Sequence, residues 1–471
     1  MNVRASRVLL ALCILAPSLV ACGSDVTLGG PNTLVRVDSE PAGINCEQGG
    51  IAVKTGLDTD GDTYLDEDEV TSVQYVCNGV SPVQCAGGVV HEGTTVVTNA
   101  SEMSDLDTVN CVDGDLLIAG ADVDTIALPN LEIVTGDVVI AGNPNLVSLD
   151  GLSGLRAVGR RVLVQGNDAL LDLGNLGALS RTDAIIVIGN DGLVDLTGLE
   201  GLGETNINLT IANNGSLASL HGLENLTTTT KTISIRANRN LTDLSALANM
   251  RSVQLLEISG HTNLTAIQLP SLEKVDVRLL IETNSVLTDL QIPLLHTVGD
   301  FISLDGDAAL GSFSAPSLLT VNSVLVKNNT SLTSLSAPQL VFATSNIELV
   351  NLPRLTGIDF TGLLSIGNNF LVRNCNQLGT LTGFSALGSV GGTMTFTGNT
   401  ALPSFGGLGA LQLVSGSVTI QNNTALSSFE GLGQFSEIGG DLTITGNSSL
   451  LKTTAQSWAN SITVHGTVTI N

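Results

Sequence analysis

Aromatic residues are almost missing from this chain. Ten Phe, two Tyr and one Trp make up 3% of 471 residues, although 43% of the chain is hydrophobic. An interior built from Leu, Ile and Val with few rings is narrow and layered rather than broad and globular. Basic residues are also scarce: 18 Lys and Arg face 44 Asp and Glu, for a formal charge of −26. That balance argues against nucleic acid and anionic lipid surfaces as partners. Between Cys22 and Asp115 only Arg36 and Lys54 are basic. Beyond the N-terminal run Val8 to Val20, no apolar stretch is long enough to span a bilayer. No phosphate loop or zinc spacing occurs, and the histidines (His91, His221, His261, His296, His465) fall at unrelated places in the repeat described next. No Ser/His/Asp or Cys/His arrangement converges, so the expectation is a protein without catalysis.

One phrase is abundant instead: apolar-x-apolar-x-(Gly/Asn)-Asn-x-x-Leu-x-x-Leu/Phe, recurring every 22 to 24 residues, with a last step of 26. Val138 to Asn143, Val418 to Asn423 and Leu442 to Asn447 are clear copies. The central strand residue runs from Ile118 and Ile140 to Ile444 and Ile470. Six places after it stands leucine in every copy from Leu146 to Leu450. Three places after it stands asparagine at Asn143, Asn167, Asn190, Asn214, Asn238, Asn284, Asn329, Asn399, Asn423 and Asn447. His261, Asp307, Leu352 and Cys375 are the exceptions. A fixed period of this length means a solenoid whose turns bury their apolar side only by stacking. Side chains alternate along a strand, so the central residue and the one two before it point inward. Asparagine suits the corner that follows, where its amide can bond otherwise unpaired backbone. The predicted fold is mainly β: an elongated right-handed β-helix-like, leucine-rich solenoid of about 15 turns over residues 116–471, behind a small disulfide-bridged N-terminal module.

The N-terminus reads as an address. Arg4 and Arg7 precede the apolar run, and residues 1–21 form a secretory signal. Leu19-Val20-Ala21-Cys22 resembles the lipobox of bacterial lipoproteins, which implies lipidation at Cys22 and a membrane partner through that lipid. Gly23 follows where an inner-membrane retention signal would carry aspartate, so the resemblance implies the outer membrane. Residues 22–32 are a tether. An oxidising compartment suits the remaining cysteines. Cys46 with Cys77 and Cys85 with Cys111 is the simplest of three connectivities, and Cys375 is left over as a buried, inert thiol.

Residues 33–80 form an acidic module with strands at 33–37 and 72–79. Its middle has the spacing of an EF-hand calcium loop: Asp58, Asp60, Asp62, the Tyr64 carbonyl, Asp66 and Glu69 fall on positions 1, 3, 5, 7, 9 and 12. Thr63 stands where that loop needs glycine. Calcium is therefore the candidate cofactor, and an acidic turn without an ion is the alternative. With Ser39 to Gly43 and Cys46, the segment resembles a small uncharacterised domain of bacterial surface lipoproteins.

Residues 81–115 read as an N-terminal cap, with a short helix begun by Asn99 or Ser101. From about residue 105, the cysteine, the Gly-Asp-Leu-x-Ile of Gly114 to Ile118 and the repeats beyond it resemble the receptor L-domain, a leucine-rich solenoid of receptor ectodomains and fungal cell-wall proteins. The resemblance implies a surface protein. No specific motif carries a ligand-binding residue over.

Two outward features are candidates for function. Glu282 and Asp305 share a column on adjacent turns, with Glu257, Lys327 and Arg236 near them. They read either as a glycosidase-type carboxylate pair or as a mixed charge ladder that keeps the sheet soluble. The outward positions of the first turns, Leu117, Val139, Leu163, Ile186 and Ile188 with Ala119, Ala141 and Gln165, form an apolar strip. Solvated sheets avoid such strips. Either residues 81–115 or the calcium-type module covers it, or it docks a partner. Thr395, Thr397, Thr419, Gln421, Thr443, Thr445 and Thr469 occupy these columns later, as β-forming residues on a wet face. The expected function is a lipid-anchored surface protein that binds a surface protein or glycan. The alternatives are a structural envelope component without a discrete ligand and a β-helix carbohydrate-active enzyme.

Overall fold

The computed structural model describes residues 33–40, 50–57, 59, 65–66, 69–77, 83–85, 87–121, 123–174 and 176–471. The chain divides into two compact units, Met1–Pro82 and Val83–Asn471.

The first unit is an antiparallel sheet of β1 (Thr33–Glu40), β2 (Gly50–Leu57) and β3 (Val70–Cys77), in that order. Thr33 stands opposite Leu57, and Gly50 opposite Cys77. β2 is a strand that the sequence reading left out. Its Ala52 is buried, while Lys54 reaches Asp38 on β1 at 3.0 Å.

The second unit is a β-solenoid of about 16 turns. Its main sheet is a parallel ladder in which Ile118, Ile140, Val164, Val187 and Ile211 stand side by side, continuing to Ile444 and Ile470. The ladder starts one strand earlier than the repeated phrase, at Thr95–Val97, which pairs with Leu116–Ile118. That strand lacks the asparagine and leucine of the phrase, so only its inward Val97, fully buried against Ile118, marks it. Cys85 and Cys111 are bridged beside it. The helix Ala100–Ser104 is capped by Asn99, whose side chain accepts the N–H groups of Ser101 and Glu102. Glu102 reaches back to the Thr98 N–H at 2.6 Å.

The predicted interior is the observed one. Every leucine of the column from Leu146 to Leu426 is fully buried, as are the paired strand residues before it. A second parallel sheet, from Ala266–Gln268 to Gly357–Asp359, lines another side of the middle turns. Two residues after each strand centre the backbone turns left-handed. Gly142, Gly166 and Gly189 do so without strain, whereas Ala237 and Thr283 do so at φ 53° and 57°. The few rings are not scattered. Phe360, Phe384, Phe370, Phe396, Phe405 and Phe429 contact one another in series, and Trp458 stacks on Phe429 at 4.0 Å. Trp458 comes from the helix Lys452–Ala459, which replaces the usual corner and accounts for the longer last step.

Candidate functional site

The asparagine column is an interior hydrogen-bonded ladder. Asn190 is typical. Its N–H donates to Asn214 Oδ1 at 3.0 Å, and its Nδ2 donates to the Val164 carbonyl at 3.1 Å and to Asn214 Oδ1 at 3.2 Å. Its own Oδ1 accepts from the N–H and Nδ2 of Asn167. Ten asparagines were expected in this column, and all are buried. At Cys375 the thiol lies 3.7 Å from the Leu349 carbonyl, and burial pushes its pKa up to about 12, so it is an inert thiol.

The apolar strip lies on the main sheet. Val96, Leu117, Val139, Leu163 and Ile186 are neighbours in register, one per turn. Val96 is 51% exposed and the other four are half-buried. Ile188 is half-buried in the next column, which begins with Ala119 and Ala141. Residues 87–115 do not lie over the strip, as one reading expected. Val90–Glu92 and Thr95–Val97 belong to the preceding turn, which adds Val96 to the strip, and Cys111–Asp113 leads into the strand of Leu117. A charged rim runs along one side. Arg160 contacts Asp115 and lies 3.4 Å from Asp137, which Arg161 also meets at 3.4 Å. The Asp137 N–H, together with Arg160, holds the Asp115 carboxyl below the ordinary range. Beyond Ile186 the column becomes polar at Thr210, Ser234 and Glu257. The strip is thus an apolar column with an ion-paired rim along one side.

Two further exposed apolar stacks escaped the sequence reading. Val147, Leu171 and Val194 are 42%, 56% and 47% exposed at one corner. At another, Leu319, Val341 and Leu364 are bonded backbone to backbone, with Phe342 exposed beside them. The signal was the doubled leucine: Leu170-Leu171, Leu318-Leu319 and Leu363-Leu364 each pair an inward leucine with an outward one.

Glu282 and Asp305 are in register on adjacent strands, as the repeat required. Each is already engaged: Ser303 Oγ donates to Glu282 at 2.6 Å, and Asn328 Nδ2 donates to Asp305 at 2.8 Å. Lys327 pairs with Glu348 at 2.6 Å, and Arg236 lies 3.8 Å from Glu257. The geometry is that of a charge ladder on an open sheet face.

In the first unit, Glu69 is buried and bridges Thr59 and Asp66. Its Oε1 accepts the Thr59 N–H at 2.6 Å and the Thr59 hydroxyl at 2.8 Å, and its Oε2 accepts the Asp66 N–H at 3.2 Å. Both carboxylate oxygens are held by the protein's own donors, so the case for calcium rests on the spacing. Asp58, Asp60, Asp62 and Tyr64 lie outside the described residues, as do Cys22, Cys46 and the side chain of Cys77. Among the described residues no three His, Cys, Asp or Glu are grouped to hold a metal, and no helix is long and apolar enough to cross a membrane.

Residues 32–77 match a domain of unknown function, DUF7151. No curated protein matches the chain.

Proposed function

We propose that this chain is a lipid-anchored bacterial surface protein, held at the outer membrane through Cys22, whose L-domain-like solenoid binds a surface protein or glycan and performs no catalysis. The observation that carries the reading is the strip Val96, Leu117, Val139, Leu163 and Ile186, half-exposed on five successive strands beside the rim of Asp115, Asp137, Arg160 and Arg161. The acidic surface and the scarcity of lysine and arginine agree with a partner other than nucleic acid.

The test is Leu163→Asp combined with Ile186→Asp. Each side chain buried at an interface contributes about 1.5–3 kcal/mol, so the pair should lower capture of envelope proteins or arrayed glycans by at least about a hundredfold. The circular dichroism spectrum should stay unchanged. A double mutant that folds and captures the same partners as the natural chain would move the site elsewhere.

A further inference from the structure

In the interior ladder each asparagine supplies both an acceptor and a donor. Its Oδ1 accepts the N–H of the residue one turn back, and its Nδ2 donates to the central carbonyl of that turn: Asn284 to Ile258 at 3.0 Å, Asn329 to Leu304 at 2.8 Å. Asp307 does half of this. Its Oδ1 accepts the Asn284 N–H at 2.8 Å and Asn284 Nδ2 at 3.1 Å, and its own N–H donates to Asn329 Oδ1 at 2.8 Å. Its Oδ2 stands where the other turns carry the amide nitrogen. That atom is buried and has no partner. By the repeat, the atom facing it is the Ile281 carbonyl oxygen, which is an acceptor.

An ionised Oδ2 would thus set a buried negative charge against carbonyl oxygen. Its charged surroundings make this worse. Glu282 on the neighbouring strand and Asp305 on its own strand both oppose ionisation. Lys327, on the strand of the following turn, is committed to Glu348. Two turns back, linked through Asn284, His261 has Nδ1 3.1 Å from the Asn238 carbonyl and Nε2 3.1 Å from the Ile235 carbonyl. Only a protonated ring satisfies both oxygens, although burial lowers the imidazole pKa.

We propose that Asp307 is carried in the folded solenoid as the neutral acid, donating its proton from Oδ2 to the Ile281 carbonyl, and that its deprotonation opens the ladder, making the turns from His261 to Asn329 a pH-sensitive joint. Burial pushes the Asp307 carboxyl to about 7, with Glu282 and Asp305 adding to the effect. The folded pKa lies above the unfolded value of 3.8, so the folded chain holds the extra proton between these limits. The contribution of Asp307 to stability is therefore largest at acid pH, falls as pH rises through the window and levels off above about 7.

The test compares the full chain with Asp307→Asn, which restores the regular amide. The infrared difference between the two should show a protonated-carboxyl band in the natural chain that disappears with a midpoint near neutrality. Hydrogen exchange at the Asn284 amide, corrected for its intrinsic pH dependence, should lose about tenfold or more protection between about pH 5 and about pH 8 in the natural chain and not in Asp307→Asn. Asp307→Leu, which copies Leu352 in the same column, should also be pH-independent there. A band that titrates in the ordinary carboxylate range, or an equal loss of protection in all three chains, would overturn the proposal.

Discussion

Replacing Asn190 by alanine isolates what one position of the interior ladder contributes. The side chain is fully buried, and alanine supplies neither its acceptor nor its donor. The Asn167 N–H loses its acceptor, which was Asn190 Oδ1 at 3.0 Å, and the Val164 carbonyl loses the donor at 3.1 Å. Each buried group left unsatisfied costs about 1–3 kcal/mol, so the two together should cost roughly 2–6 kcal/mol. Each turn touches only its neighbours, so the loss should be local. Amide hydrogen exchange resolves it: the Asn167 amide should exchange at least about thirtyfold faster, with the effect fading within a turn or two. Asn351 supplies the control. It belongs to an exposed stack, giving Nδ2 to Asn328 Oδ1 and accepting from Asn374 Nδ2, both at 2.8 Å. Its φ is 56°, which glycine adopts freely, and its bonds exchange with water, so Asn351→Gly should cost under about 1 kcal/mol. Equal losses for Asn190→Ala and Asn351→Gly, or a loss spread evenly over all turns, would refute the ladder as the source of the stability.

Two other outcomes are expected from the N-terminal region. Cys22→Ser should release the chain from membranes, read by partitioning after alkaline washing, and a mutant that stays membrane-bound would end the lipobox reading. Calorimetric titration of the full chain with calcium should show weak binding, because Thr63 stands where the loop needs glycine, and Asp58→Ala should abolish it. No heat in the natural chain at about millimolar calcium would leave the acidic turn alone.

The architecture was legible because a solenoid repeats its physics. Inward residues at the strand centre and two before it must be apolar in every turn, so a single column such as Leu146 to Leu426 reports the same burial many times over. What escaped was whatever departs from the repeat. The strand Thr95–Val97 carries two inward residues and none of the phrase's asparagine or leucine, and β2 of the first unit belongs to no repeat at all. The outward columns were placed in the right register but could not be told apart by use. A half-exposed Leu163 reads the same whether a partner or the chain's own cap lies over it. The pairing of Val96 with Leu117 shows that the strand Thr95–Val97 extends the strip by one member instead of lying over it.

The exceptions within the asparagine column show the same limit from inside. In the sequence His261, Asp307, Leu352 and Cys375 look like four equal departures. The structure separates them by what each leaves unpaired. Cys375 still has carbonyl oxygens at sulfur contact distance, and its N–H keeps its bond to Asn399 Oδ1 at 3.0 Å. Leu352 brings no polar atom to be satisfied. His261 offers two nitrogens to two oxygens, and Asp307 offers an oxygen where the ladder calls for a donor. Only these last two can complete their bonding by taking up a proton. A substitution that conserves shape while exchanging amide for acid therefore changes one thing about this turn, which is that its hydrogen bonding depends on pH.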